Sequence, residues 1–408
     1  MCEESDGHEA PTRRDYVKYG GAVVGGGLLA GCTGQSDSGS GDTPEPTETE
    51  TSTDTAEPTE TETSTDDGPY TVEMFPVGKV EFDEVPETWM ANYRDAFGDM
   101  AVALGQVDGN RSLTLDRFGM WYDLLGIEYN ADWPETWSGD APSKEVYYEL
   151  DCDVFFKDPN NLMWYDAWSE SDVEEVVTNV GPFFGSYNRR AYYDGYEENA
   201  PTMLEAFEKV GQVFKQPERT EAMLDLHTEF QTEIESRTAG VDPVDIGLIN
   251  GGSDPSKGTF YPMDPTGWGY EMKHYRDLGV GNAFEGVEGG EMDYEGLLEV
   301  DPEYIVVHWA IVTEDGQWDP NLFRERWVNP IANDPVGQEL TAVKEDTIIP
   351  GAWAEQGPII NLFSTEVAAQ TLYPEQFGEF PWEQYPEVPE ENRLFDRQRV
   401  RDIVNGNI

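Results

Sequence analysis

From Tyr70 onward the chain alternates short apolar runs with amphipathic stretches, the pattern of an α/β domain. Thr88–Tyr93, Asp153–Phe156 and Pro182–Phe184 predict strands, with a helix over Arg94–Leu104. Between 200 and 240 the period lengthens: Leu204, Phe207, Val210, Val213 and Phe214 fall on one helical face. Pro217 must break or kink that run, because it lacks an N–H and crowds the preceding turn. Strands resume at Val244–Ile249, Tyr304–Val307 and Thr347–Ile349. The expected fold class is α/β, with two Rossmann-like lobes (70–199 and 241–408, the latter with a tail) joined by a long rigid helix over 200–240 and a ligand cleft between them.

The lobes echo each other. Lys144–Phe156 and Tyr294–Val306 align without gaps, matching Glu145 with Glu295, Glu149 with Glu299 and Asp151 with Asp301. Each segment runs from a short helix through an acidic turn into an apolar strand, as expected of a repeated unit.

The first 69 residues read differently. Thr12-Arg13-Arg14-Asp15-Tyr16-Val17-Lys18 resembles a twin-arginine export motif, and the Gly-rich apolar run Gly20–Gly31 is too short to span a bilayer. Leu29-Ala30-Gly31-Cys32 looks like a lipoprotein box, so residues 1–31 are expected to be a signal peptide and Cys32 the lipidated first residue. Residues 32–69 repeat Thr, Glu, Pro and Ser with no large apolar side chain, which predicts an extended, self-repelling tether. Cys152 alone would then remain in the folded part, so no intramolecular disulfide is expected. Asn110-Arg111-Ser112 is an N-glycosylation sequon.

Charge narrows the partners. With 83 acidic against 25 basic residues the net charge is −58, which repels nucleic-acid phosphates and anionic headgroups. The tether does not explain it, since 67 acidic and 22 basic residues follow position 69. Such density suits concentrated salt, which screens repulsion within a few ångströms, and resembles proteins of extreme halophiles.

Catalytic signatures are absent: there is no G-x-S-x-G, H-E-x-x-H, Walker A or G-x-G-x-x-G. His227, His274 and His308 lack ligand-like spacing, so no metal site is expected, although His274 and His308 could share one across the lobes. His227 is expected at the surface or partly packed. Aromatic residues are more informative because they cluster after predicted strands, where α/β folds place ligands. These are Trp164, Tyr165 and Trp168, then Phe184, Tyr187, Arg189 and Arg190, then Tyr261, Trp268, His308, Trp309 and Trp353. Rigid aromatic walls lose little rotamer entropy on binding, and the Arg pair would orient anionic oxygens. The pair also suits a structural role balancing Asp194, Glu197 and Glu198, and Trp309 and Trp353 also suit packing between lobe elements. Gly251-Gly252-Ser253 offers backbone N–H groups for an anion.

Taken in order, Val80–Pro86, Glu145–Phe156, Gly181–Gly185, Tyr275–Phe284, Tyr294–Val307 and Asn361–Leu372 make residues 73–378 resemble the ABC-importer substrate-binding proteins with a rigid helical connector, which serve siderophore, haem and cobalamin uptake. The resemblance implies an exported, lipid-anchored protein on the outer face of the membrane. It would take up an Fe(III) chelate without resident cofactor or covalent chemistry and deliver it to an ABC permease and ATPase. Haem, cobalamin or a metal ion on the same scaffold, and a tethered adhesion protein, are the alternatives.

Overall fold

The computed structural model describes residues 68–91, 96–112, 115, 119–130, 132, 142–165, 167–190, 193–287, 290–310, 318–352 and 355–408. The export segment, Cys32, nearly all of the tether and Trp353 lie outside these residues. The first elements form an antiparallel hairpin, β1 (Tyr70–Met74) and β2 (Gly78–Phe82). Val72, Met74 and Phe82 face the core, and Tyr70 donates its hydroxyl to the Val213 carbonyl of the helix Met203–Val213.

The first lobe has a small parallel sheet. β3 (Trp89–Ala91) pairs with β4 (Val154–Phe156), and single bridges add Asn110 beside β3 and Phe183 beside β4. All six strand residues are buried, as both-face-covered parallel strands require. The second lobe has β5 (Asp245–Ile249), β6 (Gly281–Asn282), β7 (Tyr304–Val307) and β8 (Ile348–Pro350), all parallel, in the order β6-β5-β7-β8. Numbered along the chain within each lobe, both sheets read 2-1-3-4, so the echo seen in the sequence is a repeated topology. It extends to backbone detail. The helices Lys144–Leu150 and Tyr294–Val300 end on Asp151 (φ 45°) and Asp301 (φ 47°), both left-handed, before β4 and β7.

The expected connector over 200–240 is two helices. Met203–Val213, closed by a capping box between Thr202 and Glu205, packs on the first lobe. Pro217 starts the second, Pro217–Thr238, at its first turn, where its missing N–H costs nothing. The second buries Met223, Leu226, His227, Phe230 and Ile234 along one face. His227, expected at the surface or partly packed, is therefore buried. Its Nε2 lies 2.7 Å from the Pro358 carbonyl, and burial pushes its pKa down to about 3, so the ring is neutral and donates.

Further groups tie the lobes together at this point. Asp99, on the first-lobe helix Phe97–Ala103, accepts from the backbone N–H groups of Ile359 (2.8 Å) and Ile360 (3.2 Å) at the start of the second-lobe helix Pro358–Leu372. The tail does not stay on the second lobe. Its helix Arg397–Asn405 buries Val400, Ile403 and Val404 in the core that also holds Phe97, Met100 and Trp121 of the first lobe. That core runs continuously from one lobe to the other, with separate outer clusters around Phe155 and Tyr147 and around Ile305 and Trp327.

Candidate site between the lobes

The site sits where chain ends of the two sheets meet. In the first lobe the segment after the Phe183 bridge folds back over the end of β4. Gly185 permits this, since a Cβ there would fall 2.7 Å from the Lys157 backbone. Asp158, just past β4, accepts from the Tyr187 backbone N–H (2.9 Å) and the Tyr196 hydroxyl (2.7 Å). Burial pushes the Asp158 carboxyl up to about 6 despite those bonds. The Lys157 ammonium donates to Asn161 (2.5 Å) and lies 5.7 Å from the Tyr187 ring centre. These fixed groups aim Arg189 and Arg190 at the second lobe.

In the second lobe His308 and Trp309 follow β7. The His308 backbone N–H bonds the Ile249 carbonyl of β5 (2.8 Å), which puts the pair at the point where strand order reverses, the usual ligand position in such sheets. Trp309 is held left-handed (φ 65°), an uncommon conformation for a bulky residue. The lobes also touch through backbone. Tyr270 N–H donates to the Asn188 carbonyl (3.0 Å) and Glu271 N–H to the Arg189 carbonyl (3.4 Å). This approach demands Gly269 (φ 105°), where a Cβ would collide with the Arg189 carbonyl oxygen at 2.1 Å.

At the centre is Glu271, fully buried. Its Oε1 accepts from Arg189 Nη2 (2.9 Å), Arg190 Nη2 (2.7 Å), His308 Nε2 (3.0 Å) and Trp309 Nε1 (3.0 Å), and its Oε2 accepts from Arg190 Nε. Both guanidinium carbons lie 5.3 Å from the Trp309 ring centre. Burial pushes the Glu271 carboxyl up, yet Arg189, His308 and Arg190 hold it well below the usual carboxylate range. Burial lowers His308, so its imidazole is neutral with Nε2 as the donor. Glu355 lies 3.9 Å from Arg189. His274 is buried beside this cluster, its pKa pushed well below the usual range by burial and by His308, and its ring nitrogens meet no hydrogen-bond partner among the described residues.

The expected site residues divide accordingly. Arg189, Arg190, His308 and Trp309 converge on one carboxylate. Tyr187 and the half-buried Trp268, from opposite lobes, meet in the neighbouring aromatic cluster with Tyr193 and Tyr196. Trp164 is 48% exposed, its ring 5.0 Å from that of Tyr193 and tilted 40° to it. Tyr165 packs on the outer first-lobe cluster. Phe184 belongs to the core between Phe82 and Phe156, because both faces of that short parallel strand are covered. Tyr261 is 39% exposed, at the outer rim of β5. The expected Gly251–Ser253 anion loop is already occupied, since Gly252 N–H donates to Asn250 Oδ1 (2.7 Å). His274 and His308 both belong to the second lobe, so no site between them bridges the lobes. Among the described residues no group of three His, Cys, Asp or Glu side chains is arranged to hold a metal ion.

Comparison with known proteins places the fold. No family model matches the sequence, and no curated protein does. Solved structures do. The molybdate periplasmic binding protein MolA of Haemophilus influenzae shares 16% identity over 77% of this chain and 94% of its own, with a TM-score of 0.53. The TroA-like periplasmic binding protein FepB of Veillonella parvula shares 14% over 77% and 93%, with 0.52. An ABC-type Fe3+-hydroxamate transport protein of Saccharomonospora viridis shares 17% over 74% and 99%, with 0.51. The repeated 2-1-3-4 sheets, the connecting helix and these likenesses together give the chain the two-lobed fold of the TroA-like periplasmic binding proteins.

Proposed function

We propose that this chain is an extracellular solute-binding protein that captures an iron(III) chelate of the siderophore type and delivers it to an ABC permease and its ATPase. The observation that carries the reading is the meeting of Arg189 and Arg190 from one lobe with His308 and Trp309 from the other at the ends of the two sheets. Two planar guanidiniums suit the paired anionic oxygens of a hydroxamate or catecholate, and the aromatic faces of Tyr187, Trp268 and Trp309 suit the bulk of a chelate. Similar folds named for iron uptake and Fe3+-hydroxamate transport support the ligand class. Such capture is binding without covalent chemistry. The segments resembling a twin-arginine motif and a lipoprotein box, with the acidic stretch after them, support a position on the outer face of the membrane with Cys32 as the anchor.

The test is a tryptophan-fluorescence titration of the full chain in molar KCl against a ferric hydroxamate, a ferric catecholate, haem and cobalamin. Saturable quenching by a ferric chelate at micromolar concentration or below, weakened at least tenfold in Trp309→Ala, is expected. Saturation by haem or cobalamin instead would reassign the ligand. No response from folded protein would sink the solute-binding assignment for these classes.

A further inference from the structure

The donors gathered between the lobes form an anion receptor that the protein fills with its own side chain. Among the described residues, five donor atoms from four residues converge on the two oxygens of Glu271, and the carboxylate is shut off from water. Two guanidiniums forked around one carboxylate is the geometry with which proteins recognise planar oxyanions. Arg189 and Arg190 come from the first lobe, and Glu271 comes from the second. The contact therefore joins the lobes as well as neutralising the arginines. The backbone bonds from Tyr270 to Asn188 and from Glu271 to Arg189 flank the same carboxylate.

We propose that Glu271 is an internal stand-in for the ligand: its carboxylate latches the lobes together in the unliganded protein, and the anionic oxygens of the ligand take its place on Arg189, Arg190 and Trp309. This rests on the solute-binding reading and adds a selection rule. A ligand must carry planar paired oxygens that are negative enough locally to displace a carboxylate already in place, so solutes of the same size without anionic oxygens are rejected. Releasing Glu271 into the opened cleft restores its hydration, which offsets part of the exchange.

Two readouts on the full chain in molar KCl test the latch. The first needs no ligand: hydrogen exchange of the amides of Tyr270 and Glu271, which close the joint. Glu271→Gln keeps the shape and removes the charge. It should speed exchange there at least tenfold while the connector Pro217–Thr238 keeps its protection. Arg190→Gln, at the half-buried rim, should do the same and serves if Glu271→Gln does not fold. Unchanged exchange in the folded variants would overturn the latch. The second readout is affinity. In Glu271→Gln a ferric trihydroxamate or tricatecholate should bind at least tenfold more tightly than to the wild type, because the internal competitor is weakened. Weaker binding would assign Glu271 to fixing the arginines and overturn the exchange. Faster exchange with no chelate bound by any form would support the latch and sink the iron-chelate reading, so the two failures are distinguishable.

Discussion

Single buried carboxyls in this chain behave in opposite ways, and the difference lies in what faces them. Glu271 meets two guanidiniums and stays ionised. Asp158 meets neutral hydroxyl and backbone donors, with Lys157 a lesser influence, and burial wins, raising it from 3.8 to about 6. Asp99 rises likewise to about 6. A carboxyl that binds its proton more tightly folded than unfolded costs stability above its folded pKa and regains it as pH falls. Asp158 should therefore lower stability by roughly 2–3 kcal/mol at pH 7 relative to pH 4, with the change concentrated between about 4 and 6. Urea unfolding in molar KCl, where surface repulsion is screened, should show the wild type gaining stability from pH 7 to pH 5. Asp158→Asn should reduce that gain markedly. An identical slope in the variant would mean Asp158 is ionised and satisfied by its hydroxyl and backbone donors. Burial also closes the sequon, since Asn110 is 2% exposed and donates to the Ser112 carbonyl (2.6 Å), so the folded chain presents no acceptor there.

At the scale of elements, the helix–turn–strand unit occurs twice with one backbone solution and two side-chain solutions. Asp151 and Asp301 both adopt the left-handed conformation that glycine takes more cheaply, by about 1 kcal/mol. Asp301 also accepts from Thr341 through its backbone N–H (2.7 Å) and its hydroxyl (2.8 Å), tying β7's turn to the helix Thr341–Lys344. In the first lobe the corresponding tie is made two residues later, by Asp153 to the backbone N–H groups of Glu87 and Thr88. Asp151→Gly should thus raise the unfolding free energy by about 0.5–1 kcal/mol. Asp301→Gly should lower it by about 1 kcal/mol, because two hydrogen bonds are lost for the same relief. Equal effects in a denaturant melt would show that the side-chain ties contribute nothing. The repeat was legible in the sequence because helix, acidic turn and apolar strand are local patterns. The strand-end residues Arg189, Arg190, His308 and Trp309 were legible for the same reason. Glu271 was not: it is one of 83 acidic residues, and only tertiary burial between two cations distinguishes it. Phe184 was misplaced because adjacent aromatics in a parallel strand point to opposite, equally covered faces. His227 was misplaced because its burial depends on the N-terminus of a helix 131 residues further along the chain.

For the whole molecule the governing conflict is between a core shared by both lobes and a surface of like charge. The tail helix Arg397–Asn405 reaches the first lobe, and Arg397 pairs with the buried Glu366 of Pro358–Leu372 while lying 3.6 Å from the Phe395 ring centre. With Asp99 and the connector it ties the lobes into one shared core, so repulsion anywhere on the surface is expected to work against all of it. The basic residues are too few to balance the charge, and several are spent in buried pairs such as Arg189–Glu271 and Arg397–Glu366. Salt separates the two kinds of interaction. Screening shortens the reach of surface charges from about 10 Å at 0.1 M to about 3 Å at 1 M, while buried pairs are screened much less. Raising KCl from 0.1 to 2 M should therefore relieve repulsion without loosening the interlobe network, and the melting temperature should rise by about 10 °C or more in a single transition. NaCl at equal ionic strength should match KCl, as screening requires. A flat melting temperature would show that the acidic surface costs the fold nothing. Two separate transitions at low salt would show that the tail and Asp99 do not couple the lobes.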